Sequence, residues 1–128
     1  MSSPTTVTGV DFLTVFVTDY PAAQKFYGEV LGLEHSVDYE KIPAGEYETG
    51  SLTLQVIDAA SVGQEFKPGR GPIALHVDDV EAARADLESK GVKFHGETVD
   101  SGVCHMAFFR DPDGNVLMFH NRYAPRAS

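Results

Sequence analysis

The sequence predicts an α+β protein built from two copies of one strand–helix–three-strand (βαβββ) module. A strand-like segment followed by a helix-like segment occurs twice, and further strand-like segments follow each helix. The copies also match at an offset of 60, since residues 17–19 (VTD) align with residues 77–79 (VDD) and Ala22-Ala23 aligns with Ala82-Ala83. Self-similarity at a fixed spacing indicates a repeated structural unit.

The two modules are expected to form one domain over residues 1–128. We place module 1 at about residues 9–60, a linker at about 61–71 and module 2 at about 72–123. The linker is predicted from "SVGQEFKPGRG", which is rich in glycine and contains a proline. Either half alone is too small to bury both faces of its sheet, so the halves should fold together.

Module 1 begins with "FLTVFVTD" (12–19), which alternates with the period of a β-strand. A helix follows, with Asp19 as its N-cap, Pro21 in its first turn and Gly32 as its stop. Three further strand-like segments complete the module: "EHSVDYEKI", "EYETG" and "SLTLQVID".

Module 2 repeats this plan, with "IALHVDD" (73–79) as its first strand. The next segment, "VEAARADLESKG", predicts a helix that ends at Gly91, and Asp78 with Glu81 resembles a capping box. Three strand-like segments follow: "VKFHGETV", "VCHMAFFR" and "NVLMFHNR".

The stretch "FFRDPDGNVLMF" predicts a hairpin, because Asp-Pro-Asp-Gly between two apolar runs is strong turn chemistry. A four-residue turn over 111–114 pairs Arg110 with Asn115 and, further along, His105 with His120. The same register pairs Phe109 with Val116 and Ala107 with Met118.

Composition favours a soluble cytoplasmic protein that binds neither nucleic acid nor membrane. The net charge is −9, from 19 acidic and 10 basic residues, which repels a phosphate backbone. No apolar run approaches the roughly 20 residues that span a bilayer, and the start shows no signal-peptide pattern. Cys104 is the only cysteine, which fits a reducing compartment.

Three segments together resemble the vicinal oxygen chelate superfamily, which includes glyoxalase I, bleomycin-resistance proteins, fosfomycin-resistance enzymes and extradiol dioxygenases. They are "VFVTDYPAAQKFYGEVLGL", "IALHVDDVEAARADLESKGV" and "FFRDPDGN", and the resemblance covers about residues 9 to 123. It implies two βαβββ modules with curved sheets that pair into a cup. It also implies a homodimer, with each cup formed between subunits.

The resemblance further implies where a divalent metal would be held in metal-dependent members of the family. The matching positions in this sequence are Phe12, Gln55, Pro72 and Met118. Hard divalent ions need oxygen or imidazole ligands, which phenylalanine and proline lack and a methionine thioether replaces poorly. Only Gln55 offers an oxygen, so no metal and no other cofactor are expected. His76 lies four residues beyond Pro72, so it is not the family's ligand.

Alternation from these positions predicts a mostly apolar cup with a few polar groups, the usual make-up of a small-molecule site. The predicted ligand-binding residues are Phe12, Thr14, Phe16, Gln55, His76, His105, Phe109, Met118 and His120. The candidates for acid–base catalysis are His76, His105 and His120. Alternatively, the phenylalanines fill a closed core, and His105 and His120 are a solvated pair at a sheet end.

Three classes of function remain open from the sequence. The first is metal-independent binding of a small, partly apolar organic molecule, with sequestration as in bleomycin-resistance proteins as the nearest analogue. The second is a lyase, isomerase or glyoxalase-like enzyme that uses the cup histidines, with or without a displaced divalent metal. The third is a structural or regulatory dimer without a ligand.

Overall fold

The fold was analysed in a computed structural model that describes residues 5–125. Within this range the chain forms two βαβββ modules, as predicted, with eight strands and two α-helices. Module 1 consists of β1 (Phe12–Val17), α1 (Tyr20–Lys25), β2 (Glu34–Asp38), β3 (Ala44–Glu48) and β4 (Thr53–Asp58). A π-helical turn (Phe26–Val30) continues α1, and a 3-10 turn (Ala59–Val62) follows β4. Module 2 consists of β5 (Ile73–His76), α2 (Val80–Ser89), β6 (Phe94–Asp100), β7 (Cys104–Arg110) and β8 (Val116–Arg122).

Each module folds into one four-stranded sheet, and the two sheets have the same topology. The strand order is β1-β4-β3-β2 in the first sheet and β5-β8-β7-β6 in the second sheet. The opening strand of each module pairs in parallel with the last strand, and the other pairs are antiparallel. Leu13 pairs with Leu54 in module 1, and Ile73 pairs with Leu117 in module 2, so the repeat extends to the register.

Each α-helix begins at an aspartate that accepts a hydrogen bond from the backbone. Asp19 Oδ1 accepts from the Ala22 amide at 3.2 Å, as predicted. In α2 the N-cap is Asp79, whose Oδ1 accepts from the Ala82 amide at 3.0 Å. The predicted capping role of Asp78 is therefore wrong by one residue.

The helix-facing sides of both sheets contribute to one hydrophobic core. Tyr27, Tyr47 and Phe109 are its largest fully buried side chains. The rings of Phe26 and Phe109 lie 6.4 Å apart, so the helical segment of module 1 packs against the sheet of module 2. Because the core takes one face of each sheet, the opposite faces remain free of it.

The β7–β8 hairpin has a five-residue turn, which corrects the predicted register. Arg110 pairs with Val116, and the Asp111 amide donates to the Asn115 carbonyl at 3.0 Å. Asp111 Oδ1 accepts from the amides of Asp113 and Asn115, so Asn115 belongs to the turn rather than to the ladder. The pairs in the register are therefore Phe109–Leu117, Ala107–Phe119 and His105–Asn121.

No helix within residues 5–125 combines the length and the apolar character that a membrane crossing requires.

Candidate functional site

The candidate site lies on the faces of the two sheets that point away from the helices, which we call the open faces. Alternation along the strands and the observed register assign side chains to them. The open face of the first sheet carries Phe12, Thr14, Phe16, Glu46, Glu48, Thr53 and Gln55. The open face of the second sheet carries Ala74, His76, Met106, Phe108, Val116, Met118 and His120.

Hydrogen bonds organise the polar centre of the first open face. Thr14 Oγ1 donates to Gln55 Oε1 at 2.9 Å, and Gln55 Nε2 donates to the Tyr39 hydroxyl at 2.8 Å. The Tyr39 hydroxyl in turn donates to Glu46 Oε2 at 2.8 Å. These bonds hold the Gln55 amide in one orientation between an apolar edge at Phe12 and an acidic edge at β3.

Glu48 is the second carboxylate of this acidic edge. Its Oε2 accepts from Ser36 Oγ at 2.5 Å, and its Oε1 accepts from Thr53 Oγ1 at 2.6 Å. The hydrogen bond from Ser36, and then that from Thr53, hold the pKa of Glu48 below its usual value of 4.5. Glu48 is therefore anionic at neutral pH, and its edge of the face suits a cationic or hydrogen-bond-donating group.

The second open face carries a pair of neighbouring histidines. His76 and His120 are Cα partners in the parallel β5–β8 ladder, and His120 lies opposite Met106 on its other side. His76 Nε2 lies 3.2 Å from Asp78 Oδ1, and the His76 side chain is 69% exposed. The imidazole is therefore held by a carboxylate and open to a ligand.

Two predicted ligand-binding residues do not lie on the open faces. Phe109 is fully buried in the core, and His105 lies on the same side of β7, opposite Asn121. The prediction that His105 faces His120 is wrong, because the fifth turn residue shifts the register by one. His105 Nε2 instead lies 3.5 Å from Asp100 Oδ2, at the outer end of the β6–β7 hairpin.

The other predicted residues are brought together on the open faces. Phe12, Thr14, Phe16 and Gln55 share the first face, and His76, Met118 and His120 share the second. Sequence reasoning missed Glu46, Glu48, Met106 and Phe108. The alternation in "AGEYE" could have placed both glutamates on the open face. The side to which Met106 and Phe108 point could be known only from the hairpin register.

The positions at which the fold family implies a metal do not fit one in this chain. Phe12 and Met118 offer no hard ligand, and Pro72, just before β5, offers no side-chain ligand. The Gln55 amide is already bonded to Thr14 and Tyr39. Among the residues of the described range, no three His, Cys, Asp or Glu side chains are grouped as a metal would require.

Comparisons with known proteins agree with this architecture. The family model of the Glyoxalase/Bleomycin resistance protein/Dioxygenase superfamily matches residues 9–119. The uncharacterized protein YaeR of Escherichia coli (strain K12) is 31% identical over 126 residues, which cover 88% of this chain and 95% of YaeR. Because the family match spans most of the chain, this protein belongs to the Glyoxalase/Bleomycin resistance protein/Dioxygenase superfamily.

Two further similarities are more limited. Lactoylglutathione lyase of Schizosaccharomyces pombe is 49% identical over 49 residues, which are 38% of this chain and only 16% of that protein. TnmS3, an antibiotic binding protein from Streptomyces sp. CB03234, shares 24% identity with a TM-score of 0.78, over 93% of this chain and 99% of TnmS3. The likeness to TnmS3 establishes the shared fold alone.

Proposed function

We propose that this protein binds a small, partly apolar organic molecule between the open faces of its sheets, without a metal. The observation that carries the proposal is the exposed, mixed surface of these faces. Phe12 is 51% exposed. Beside it on the same face, hydrogen bonds connect the side chains of Thr14, Gln55 and Tyr39. Apolar walls with a few fixed polar groups are the usual make-up of a small-molecule site. The antibiotic-binding role of TnmS3 supports the same class of function.

Metal independence is proposed from the chemistry of the side chains. Phe12, Pro72 and Met118 stand at three of the four positions that the family uses for ligands, and Gln55 is engaged by its neighbours. Recognition then rests on apolar contact with Phe12, Phe16 and Met118 and on hydrogen bonds.

We further propose that a second copy of the chain completes each cup, in the cytoplasm. An open face with half-exposed phenylalanine is costly to leave in water. Glu46 and Glu48 make the first open face acidic, and His76 and His120 offer donors on the second, so the faces complement each other across two subunits. The free, buried thiol of Cys104 favours a reducing compartment, and the charge of −9 disfavours nucleic acid.

Native mass spectrometry of the purified full chain, together with elemental analysis, tests the proposal. We expect a co-purified small molecule, with less than stoichiometric zinc, nickel, manganese or iron. The double variant Phe12→Ser/Met118→Gln should lose the small molecule. The control Val62→Ser removes an apolar group of similar exposure outside the open faces, and this variant should retain the small molecule. A metal near one per chain, or equal retention by both variants, would contradict the proposal.

A second candidate function, a lyase or isomerase, is favoured by the His76–Asp78 contact at 3.2 Å. A positioned acid or base is worth about 10²–10⁴ in rate, so His76→Phe should lower any turnover by that factor. Lactoylglutathione is the first substrate to test, and His105→Phe, off the open faces, is the matched control. Turnover that both variants leave unchanged would remove His76 as the acid or base, and absence of turnover in the unmodified chain would remove this candidate function.

A further inference from the structure

Two cavities flank the line along which the edge strands β1 and β5 approach each other. Leu13 and Ile73 line both cavities. The first cavity, of about 210 Å³, lies beside the start of β8 and is lined in part by Lys67, Gly69 and Gly71 of the linker. The second cavity, of about 140 Å³, lies beside the start of β4 and the end of β5.

The internal repeat relates these two cavities, and it explains why the linker lines only the first. Leu54 and Leu117 hold equivalent places in the two registers, so Leu52 is the module 1 equivalent of Asn115. Asn115 Oδ1 accepts from the Gly69 amide at 2.7 Å, and the Val116 amide donates to the Gly69 carbonyl at 3.0 Å. These bonds fix the linker in the wall of the first cavity. The side chain of Leu52 has no polar group that could hold a segment of the chain beside the second cavity in the same way.

The second cavity is the smaller and the more enclosed of the two, and its wall is apolar. Its apolar lining consists mainly of Leu13, Leu33, Leu52, Leu54, Ile73 and Leu75. Within the described range no segment takes the place that the linker takes in module 2, because residues 5–11 are exposed and do not line the cavity. Apolar cavity volume costs stability, so a guest that fills such a cavity is favourable.

Polar groups lie only at the rim of the second cavity. Thr49, Ser51 and His76 line it there, and the hydroxyls of Thr49 and Ser51 are 3.3 Å apart. The Thr49 hydroxyl is engaged with the backbone of Leu52, to which it donates at 2.6 Å and from which it accepts at 3.1 Å. Ser51 and the exposed imidazole of His76 are therefore the groups that can hydrogen bond a guest.

We propose that the second cavity, which adjoins the second open face at Ala74 and His76, is a further binding site, for a single-ring apolar compound that carries one hydroxyl group. The size supports a ring, since a dry leucine-lined cavity of about 150 Å³ accepts benzene. The rim supports one hydroxyl, which hydrogen bonds Ser51 or His76 while the ring contacts the leucines. In the second cavity the ligand thus makes the apolar contacts that the linker makes in the first cavity.

The test uses phenol as the probe and toluene as its apolar match, with binding followed by backbone-amide NMR of the full chain. Phenol should bind at one site with millimolar or better affinity and shift the amides around residues 51–54 and 73–76. It should bind about two- to tenfold more tightly than toluene, because one net hydrogen bond is worth about 0.5–1.5 kcal/mol. Shifts confined to other regions, or no saturable binding, would overturn the proposal.

Variants that plug the cavity from two sides make the test specific. Leu52→Phe and Ser51→Leu should each weaken phenol binding at least tenfold, whereas Leu52→Met, which keeps the volume, should not. The Leu52→Phe chain should still carry the molecule that co-purifies on the open faces, so failure of one proposal is distinguishable from failure of the other. Equal phenol binding by all three variants would overturn the assignment.

A covering segment of the chain itself is the competing occupant. Val7 is 82% and Val10 is 65% exposed, and these residues precede β1 as the linker precedes β5. If this segment filled the cavity, Val7→Ser/Val10→Ser would strengthen phenol binding by removing a competitor. Unchanged phenol affinity in that variant supports the ligand site, and a large gain overturns it.

Discussion

At the scale of single residues, position 45 requires glycine because neighbouring side chains come close to its Cα, and not because of its backbone angles. A Cβ at this position would lie 2.2 Å from the Tyr20 hydroxyl oxygen and 2.7 Å from His35 Nε2. Tyr20 cannot retreat freely, because its hydroxyl is hydrogen bonded to that of buried Tyr47 at 2.9 Å. His35 stacks on Tyr47 with ring centroids 4.6 Å apart. Two aromatic side chains, both in contact with Tyr47, therefore use the space that glycine leaves over β3.

Gly45→Ala should destabilise the protein by about 1–3 kcal/mol, the usual cost of forcing extra volume into a packed site. Chemical denaturation of the purified chain measures it. Gly28→Ala is the matched control, because its Cβ would meet only Tyr47 at an ordinary 3.6 Å. We expect no loss of stability in the control. Equal stability of the two variants would show that Tyr20 and His35 can move aside.

At the scale of secondary-structure elements, the β7–β8 turn joins the two modules. The side-chain Nδ2 of Asn115 donates to the Phe16 carbonyl at 2.9 Å and to Asp111 Oδ2 at 2.8 Å. Tyr27 of the π-helical turn also donates to Asp111 Oδ2, at 2.7 Å. Burial, and then the Asp111 charge, raise the pKa of Tyr27 far above its usual range, so its hydroxyl remains a donor. The turn thus binds the end of β1, the helical segment and the linker together.

Asn115→Leu should destabilise the fold by about 2–4 kcal/mol, because it removes the side-chain partner of the Gly69 amide and of the Phe16 carbonyl and one of the hydrogen bonds to the Asp111 carboxylate. Thermal and denaturant unfolding measure this loss. Asn121→Leu is the control, since Asn121 makes one side-chain bond, to the Val77 carbonyl at 3.0 Å, within module 2. A loss of about 1 kcal/mol is expected there. If the two losses were equal, the turn would not link the modules energetically.

At the scale of the whole molecule, one chain buries a single core on the helix-facing sides and leaves both open faces uncovered. Val37, near the first open face, and Val99, near the second, are each 43% exposed, in addition to Phe12. Large exposed apolar surfaces mark interaction sites in soluble proteins. The proposed two-fold dimer would cover both faces at once and place the acidic face of one subunit opposite the histidines of the other.

Light scattering should therefore give twice the 13.9 kDa chain mass across dilution. Glu46→Lys/Glu48→Lys should shift the protein towards monomer at low ionic strength, because it removes the complementary charge. Glu65→Lys, in the exposed linker, makes a similar change elsewhere and should leave the mass unchanged. A monomeric native protein would contradict the dimer and the cup between subunits.

The sequence by itself determined the fold class, the repeat and most of the open faces. Alternation in β1 and β4 assigned Phe12, Thr14, Phe16 and Gln55 correctly to one face, because side chains in a strand point alternately to its two sides. Asp19 and the turn at 111–114 were also visible, since caps and turns depend on local chemistry.

Only the tertiary structure decided the register of β7 and which cavity the linker lines. Asn115 leaves the ladder because its side chain bonds to Phe16 and Gly69, which are distant in sequence, and this moves Phe109 into the core and His105 off the open face. The same bonds hold the linker in the wall of the first cavity, while Leu52 offers no such bond beside the second. Local patterns carry no information about such long-range partners, and a shift of one residue reverses the face of every side chain in a strand.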